Sequence, residues 1–292
     1  MFKFILYRSK SVSAALLLGG LLATPAIASA AEASFDRTLN VSGNVIVYVA
    51  TGSGYVHISP GSDSQIHIVG HVKSNNGWFS GSSDDRVKQI AANPPIEQSG
   101  NEVRIGKRGN DDWFRNVTID YEITTPRGSN VNAGSGSGDL QISGIGGGLK
   151  ASTGSGSIDA HGIGGAVALD TGSGDIKADL NNPSSTKAQT GSGSIRINGV
   201  IGGLRAGTGS GDIEVQGQPT SDWKLETGSG SVTLTTGGSH FSLDASTGSG
   251  SVHSDPPIST HGSLEKHHIM GDINGGGPTV RVETGSGDIR IK

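Results

Sequence analysis

From Leu149 onward, apolar and polar residues alternate in short runs that recur along the chain. Leu149/Ala151/Thr153, Val167/Leu169/Thr171, Leu204/Ala206/Thr208, Trp223/Leu225/Thr227, Leu243/Ala245/Thr247 and Val280/Val282/Thr284 all keep the same parity. A second set follows each of these: Ile158/Ala160, Ile195/Ile197, Ile213/Val215, Val232/Leu234 and Ile289/Ile291. Side chains alternate faces along a strand, so each run predicts a short strand with one face turned to a core. Between the two sets stands Thr-Gly-Ser-Gly followed by Asp or Ser. Full copies start at Thr153, Thr171, Thr190, Thr208, Thr227, Thr247 and Thr284, after a weaker version at Ser135. The steps are 18, 18, 19, 18, 19, 20 and 37, and His268–Ile273 reads as a degraded copy that splits the last into 21 and 16. A fixed period of this length means stacked like units.

The fold class expected is all-β: a parallel β-solenoid of about 18–19 residues per coil, each coil made of two short strands and two turns. Strand spacing of about 4.8 Å makes eight or nine coils a rod roughly 40 Å long. Glycines at the corners are expected to supply positive φ, and right-handed winding follows by analogy with parallel crossovers. Left-handed hexapeptide helices need an apolar residue every six, but counting from Ile158 lands on Gly164 and Asp170. Calcium β-rolls repeat every nine residues, and no second copy stands at the half-coil. Pectinase-like helices have longer, less regular coils.

Residues 31–130 are expected to form an N-terminal β-rich part and 131–292 the solenoid. Val45–Ala50 alternates into Thr51-Gly52-Ser53-Gly54, an isolated early copy of the corner. Strands are predicted at 65–72, 102–105 and 117–124. Ser82 to Asp85 open a short helix near 84–92, with Val87, Ile90 and Ala91 on one face and Pro94-Pro95 ending it.

The first thirty residues look like a secretory signal. Lys3, Arg8 and Lys10 precede the apolar run Ala14–Ala23, and Ala28-Ser29-Ala30 offers a cleavage site. Export follows as the expectation, to the periplasm or the cell surface after cleavage near Ala30, with no membrane span in the mature chain. Removal of three cations takes the formal net charge from −4 to −7, which argues against nucleic acid as a partner. With no cysteine there is neither a disulfide framework nor a lipidated cysteine. Gly is abundant, 49 of 292 residues, but the periodic Ile, Val and Leu give each unit something to bury. Aromatics at 4% suit a narrow core.

Three rows carry candidate chemistry. The residue after the second corner glycine runs Asp139, Ser157, Asp175, Ser194, Asp212, Ser231, Ser251, Asp272, Asp288. Asp and Ser both accept bonds from nearby backbone N–H groups, so the row reads as turn chemistry rather than a cation site. An outward row holds Lys150, Ala168, Lys187, Arg205, Lys224, Asp244 and Arg281, five basic residues in seven. A regular ladder of charge suits an acidic polysaccharide. Its outward neighbours Ser152, Asp170, Gln189, Gly207, Glu226, Ser246 and Glu283 neutralise part of it. The threonine row shares parity with Leu and Ala and so faces inward, not outward as an ice-binding array requires. Trp78 and Trp113, each followed by Phe, are sugar-stacking candidates or lids over the helix end. His240, His253, His261, His267 and His268 cluster late without a ligand spacing. Ser in Gly-Ser-Gly is part of a repeated corner, so no nucleophile motif is assigned, and no catalytic, metal or cofactor residue is expected.

The corner array, together with Ala92–Gly100 (ANPPIEQSG) and Val117–Pro126 (VTIDYEITTP), resembles the bacterial "putative adhesin" family of β-strand-repeat proteins, a domain of unknown function. The resemblance spans roughly residues 35–292 and implies an exported, adhesin-like β-solenoid; the family defines no catalytic residues to carry over. Fold alone does not set function. The expected function is therefore non-enzymatic binding of envelope or extracellular polymers, acidic glycans among them, through flat outer faces. The alternatives are a polysaccharide-processing enzyme on a β-helix and an envelope spacer with no ligand.

Overall fold

The computed structural model describes residues 31–75, 81–106, 114 and 116–292, with backbone only at 81–84 and 261–264. Within them, 23 strands join a single sheet and one helix spans Gly81–Ala92. The repeats form two parallel ladders. In spatial order, the first ladder stacks Ile46–Thr51, Asn130–Ser135, Leu149–Thr153 and the second halves of the long strands Ile158–Thr171 and Ile176–Thr190. Gly203–Ser210, Trp223–Ser229, Thr279–Ser286 and Phe241–Ser249 complete it. The second ladder stacks Val56–Pro60, Leu140–Ser143, the first halves of the same two long strands and Ile195–Ile201. Ile213–Gln218, Val232–Thr235, Ile289–Ile291 and Val252–Ser254 follow. Each winding contributes to both ladders, so the chain is a β-solenoid.

Register keeps like on like. Leu204 pairs with Trp223, Ala206 with Leu225 and Thr208 with Thr227. Leu169, Ile195, Ile213 and Leu225 are all buried, as their parity predicts. Ile145, Ile163, Leu180 and Val200, also buried, fill the second corner. A sheet with period-2 patterning tolerates no one-residue slip, because a slip would turn every one of these side chains outward.

The order of windings departs from the order of the chain at both ends. Residues 46–60, within the segment expected as the N-terminal part, form the first winding and stack directly on residues 130–143. The chain between them builds a cap. Glu102–Gly106 lies parallel on Ile46–Thr51 and carries the antiparallel Ile96–Ser99. Val117–Thr125 lies parallel on Val56–Pro60 and continues antiparallel through Gln65–Ser74 to Glu32–Asn40. The helix buries Val87 and Ile90. Phe35 meets Tyr121 edge-on, 6.3 Å between centroids, and lies over Gly70, where a Cβ would fall 2.1 Å from the ring.

At the other end the last winding, residues 279–291, is inserted between residues 223–235 and 241–254. The expected degraded copy at His268–Ile273 is not a winding. It runs antiparallel to Phe241–Ser249 and pairs with Ile258–Glu265, closing the stack as a hairpin. Lacking the Thr-Gly-Ser-Gly corner, it has no means of turning in register with its neighbour.

The role expected of the corner glycines is also corrected. Among those in Thr-Gly-Ser-Gly, only Gly287 has positive φ, at 147°. What excludes a side chain is the winding below. A Cβ on Gly174, Gly193 or Gly211 would lie 1.9–2.2 Å from the carbonyl oxygen of Gly156, Gly174 or Gly193 respectively. Positive φ belongs to the opposite corner, at Gly144, Gly162, Gly199 and Asn182.

Candidate binding face

The Thr-Gly-Ser-Gly corner is a staple between windings. Thr153, Thr171, Thr190, Thr208 and Thr227 donate to the carbonyls of Gly138, Gly156, Gly174, Gly193 and Gly211 one winding below, at 2.8–3.0 Å. Thr153, Thr171 and Thr190 also accept from the N–H of the second glycine of their own corner at 3.1–3.2 Å. Those three hydroxyls are thus satisfied twice, and the row is buried as its parity requires.

The Asp/Ser row takes its meaning from the spatial order. With residues 279–291 inserted, it reads Asp139, Ser157, Asp175, Ser194, Asp212, Ser231, Asp288, Ser251. Each carboxylate accepts the backbone N–H of the next serine: Asp139 from Ser157, Asp175 from Ser194, Asp212 from Ser231 and Asp288 from Ser251, at 2.8–2.9 Å. The Ser251 hydroxyl adds a second bond to Asp288. The Ser251 hydroxyl and N–H hold the Asp288 carboxyl below its ordinary range. Like charges are two windings apart throughout, and the row is structural.

The outer face of the first ladder carries the basic row in the order Lys150, Ala168, Lys187, Arg205, Lys224, Arg281, Asp244. Insertion of the last winding sets Arg281 beside Lys224 and moves Asp244 to the end. The row divides electrostatically. Lys224 pairs with Glu226 at 2.7 Å, and Arg281 with Glu283 at 2.8 Å and Asp244 at 3.8 Å. The hydrogen bond to Glu283, and then its charge, raise the Arg281 pKa further. Lys150, Lys187 and Arg205 are exposed, and their outward neighbours two residues on are the uncharged Ser152, Gln189 and Gly207.

Where Ala168 interrupts the row, the face is indented. A groove of about 410 Å³ has Gly148, Ala166 and Ala168 among its floor residues, with Lys150, Lys187 and Asn132 at its sides. In the sequence Ala168 stands in the outward row as one of its two non-basic members. The signal for the groove was the small residues Gly148, Ala166 and Ser185 at one position in three successive windings, matched by Ala168 two residues later.

The outer face of the second ladder is more fully self-paired. His161 lies 2.6 Å from both Asp159 and Asp179, and Arg196 pairs with Glu214 at 2.8 Å. Asn198, and then His161, hold the Asp179 carboxyl below its ordinary range. The late histidines disperse: His268 meets Asp244, His253 meets Asp255 and His240 bonds the Asn274 carbonyl. Among the described residues no group of three or more His, Asp or Glu is placed to hold a metal, and no helix is long and apolar enough to cross a membrane. Trp78, Trp113 and the signal-like residues 1–30 lie outside the described residues; Phe114 is half-buried against the core.

Comparison with known proteins adds a family. The family model described as Toastrack DUF4097 matches residues 47–292. A crystal structure of "a putative adhesin" from Bacteroides fragilis aligns over 89% of this chain and 97% of its own, with 14% identity and a TM-score of 0.40. One of "a putative cell adhesion protein" from Clostridium sporogenes aligns over 89% and 99%, with 13% identity and a TM-score of 0.25. No curated protein matches the chain.

Proposed function

This chain belongs to the Toastrack DUF4097 family, and from that premise we propose that it is an exported, non-enzymatic, adhesin-like solenoid that holds acidic envelope or extracellular polymers on the outer face of its first ladder. The observation that carries this reading is the cluster Lys150, Lys187 and Arg205: three exposed cations with no ion pair among the described residues, on the outer face of one parallel ladder. Asp170 is the nearest acid of the neighbouring row, beside Ala168, so the patch keeps a net positive charge on a chain whose mature form is acidic overall. Parallel strands fix the spacing: Lys187 and Arg205 are one winding apart, about 4.8 Å, and Lys150 and Lys187 two, about 9.6 Å. An extended polyanion can meet such a row without the protein rearranging. Lys224 and Arg281 extend the row with charges already matched by Glu226, Glu283 and Asp244, and make the smaller contribution.

Exposed ion pairs contribute about 0.2–1 kcal/mol each, so three contacts amount to roughly a 3- to 150-fold effect on affinity. The test is binding of the mature chain to a panel of acidic and neutral polysaccharides at about 50 and 500 mM salt. Reversal of Lys150, Lys187 and Arg205 to Glu should remove the salt-sensitive binding to acidic polymers and leave neutral ones untouched. Unchanged binding rejects this face. Export is tested separately, by fractionating cells that express the chain with and without residues 1–30.

A further inference from the structure

Within that face, and resting on the reading just given, we propose that the groove over Ala168 is a subsite for one carboxylated sugar unit of the polymer, so that recognition is by fit as well as by charge. The groove has the volume of a small-ligand site, about 410 Å³, within the usual range of about 300–1,000 Å³. Its floor is made of groups that stand little above the backbone, Gly148, Ala166 and Ala168, and gives the C–H face of a pyranose an apolar surface. Lys150 and Lys187 stand on either side, two windings apart, and neither has a carboxylate partner. A carboxylate between them is held by two point charges. Asn132 also lines the groove and can offer a hydrogen bond to a sugar hydroxyl. Asn130 is already committed, its Oδ1 accepting the Gly148 N–H at 2.9 Å, and that bond fixes the rim. The windings beyond show the contrast: at the position of Ala168 they carry Lys187, Arg205, Lys224 and Arg281, which are long side chains that fill the same space.

Charge and fit make opposite predictions for one residue. Ala168→Lys completes the basic ladder, so a purely electrostatic face binds any polyanion more tightly. A subsite is instead blocked. Ala168 points outward and is half-exposed, so the variant keeps its fold, which circular dichroism checks; Ala166→Leu, at an exposed position on the same floor, is the second variant. The probes are oligogalacturonate, which carries one carboxylate per sugar, and dextran sulfate, a polyanion without carboxylates. The subsite predicts that both variants weaken oligogalacturonate binding by about tenfold or more, while Ala168→Lys binds dextran sulfate at least as well as the parent chain. Oligogalacturonate binding that is unchanged or tighter in Ala168→Lys overturns the subsite and leaves the basic face standing. Failure of the parent chain to bind oligogalacturonate while it binds dextran sulfate does the same. Loss of neither probe on reversing Lys150, Lys187 and Arg205 overturns both.

Discussion

Substituting Gly193 by Ala isolates what holds the windings together. Gly193 does not have positive φ, so alanine carries no backbone strain there. At an unhindered site such a change stabilises by about 0.4–1 kcal/mol through the unfolded chain. The new Cβ, however, would lie 2.0 Å from the Gly174 carbonyl oxygen and 2.5 Å from its carbon. Real contacts of this kind stay beyond 3.0 Å, so the two windings must part by about 1 Å locally. Bonds that cross the same gap include Thr190 Oγ1 to Gly174 at 2.9 Å, Gly191 N–H to Gly172 at 3.0 Å, Ser194 N–H to Asp175 at 2.8 Å and Ile176 N–H to Ser194 at 2.9 Å. Stretching two of them by 1 Å loses about 1–3 kcal/mol, and overpacking adds about 1–3 kcal/mol. The expected loss is about 3 kcal/mol, or roughly 6–12 °C in melting temperature for a chain of this size. Gly52→Ala is the control, because Gly52 has ordinary φ and a Cβ there meets nothing within 4 Å; its melting temperature should equal or exceed that of the parent. Thermal and urea unfolding of the two variants decides the matter. If Gly193→Ala melts with Gly52→Ala, the corner glycines are not there for close stacking.

Three further outcomes follow from the same contacts. Thr208→Val keeps the shape but strips the donor from the Gly193 carbonyl, 2.8 Å away, and should cost about 1–3 kcal/mol in urea unfolding; a neutral result removes the staple. Asp288 has its pKa depressed by Ser251, so its contribution is present above the unfolded value of about 3.9 and is lost as pH falls through the lower folded value. Asp288→Asn should therefore lower the urea midpoint at pH 7 and leave it unchanged near pH 2, and a difference of the same size at both pH values refutes the linkage. Deleting residues 279–292 takes away the winding between Trp223–Ser229 and Phe241–Ser249. It should raise amide exchange across residues 223–254 while leaving residues 130–198 protected, since a solenoid is held by nearest-neighbour contacts; uniform loss of protection would count against this order of windings.

The solenoid was legible because its information is local and repeated. Parity along Leu204, Ala206 and Thr208 fixes one face, and the same triplet 18 or 19 residues away fixes what lies on it. The insertion of residues 279–291 was not read, because nothing within that winding states which neighbours it takes. Yet the chain carries the answer in the Asp/Ser row. Read in chain order, Ser231 is followed by Ser251, which would leave the Ser251 N–H without the carboxylate that Ser157, Ser194 and Ser231 each receive. In the structure Asp288, placed between them, supplies it at 2.9 Å. The glycines were misjudged for a related reason: positive φ is a property of one residue, whereas a carbonyl 2 Å from an absent Cβ belongs to the next winding. The basic row was visible as charge, and most of its pairing is local: Lys224 meets Glu226 and Arg281 meets Glu283, each two residues on in its own strand, while the contact of Arg281 with Asp244 is set by stacking. Asp244 follows Lys224 in the row by sequence and meets Arg281 in space. A row's composition and its same-strand pairs can thus be read from a repeat, while contacts between rungs must wait for the order of the rungs. The free cations concentrate at Lys150, Lys187 and Arg205 because the outward residue two on from each is uncharged: Ser152, Gln189 and Gly207.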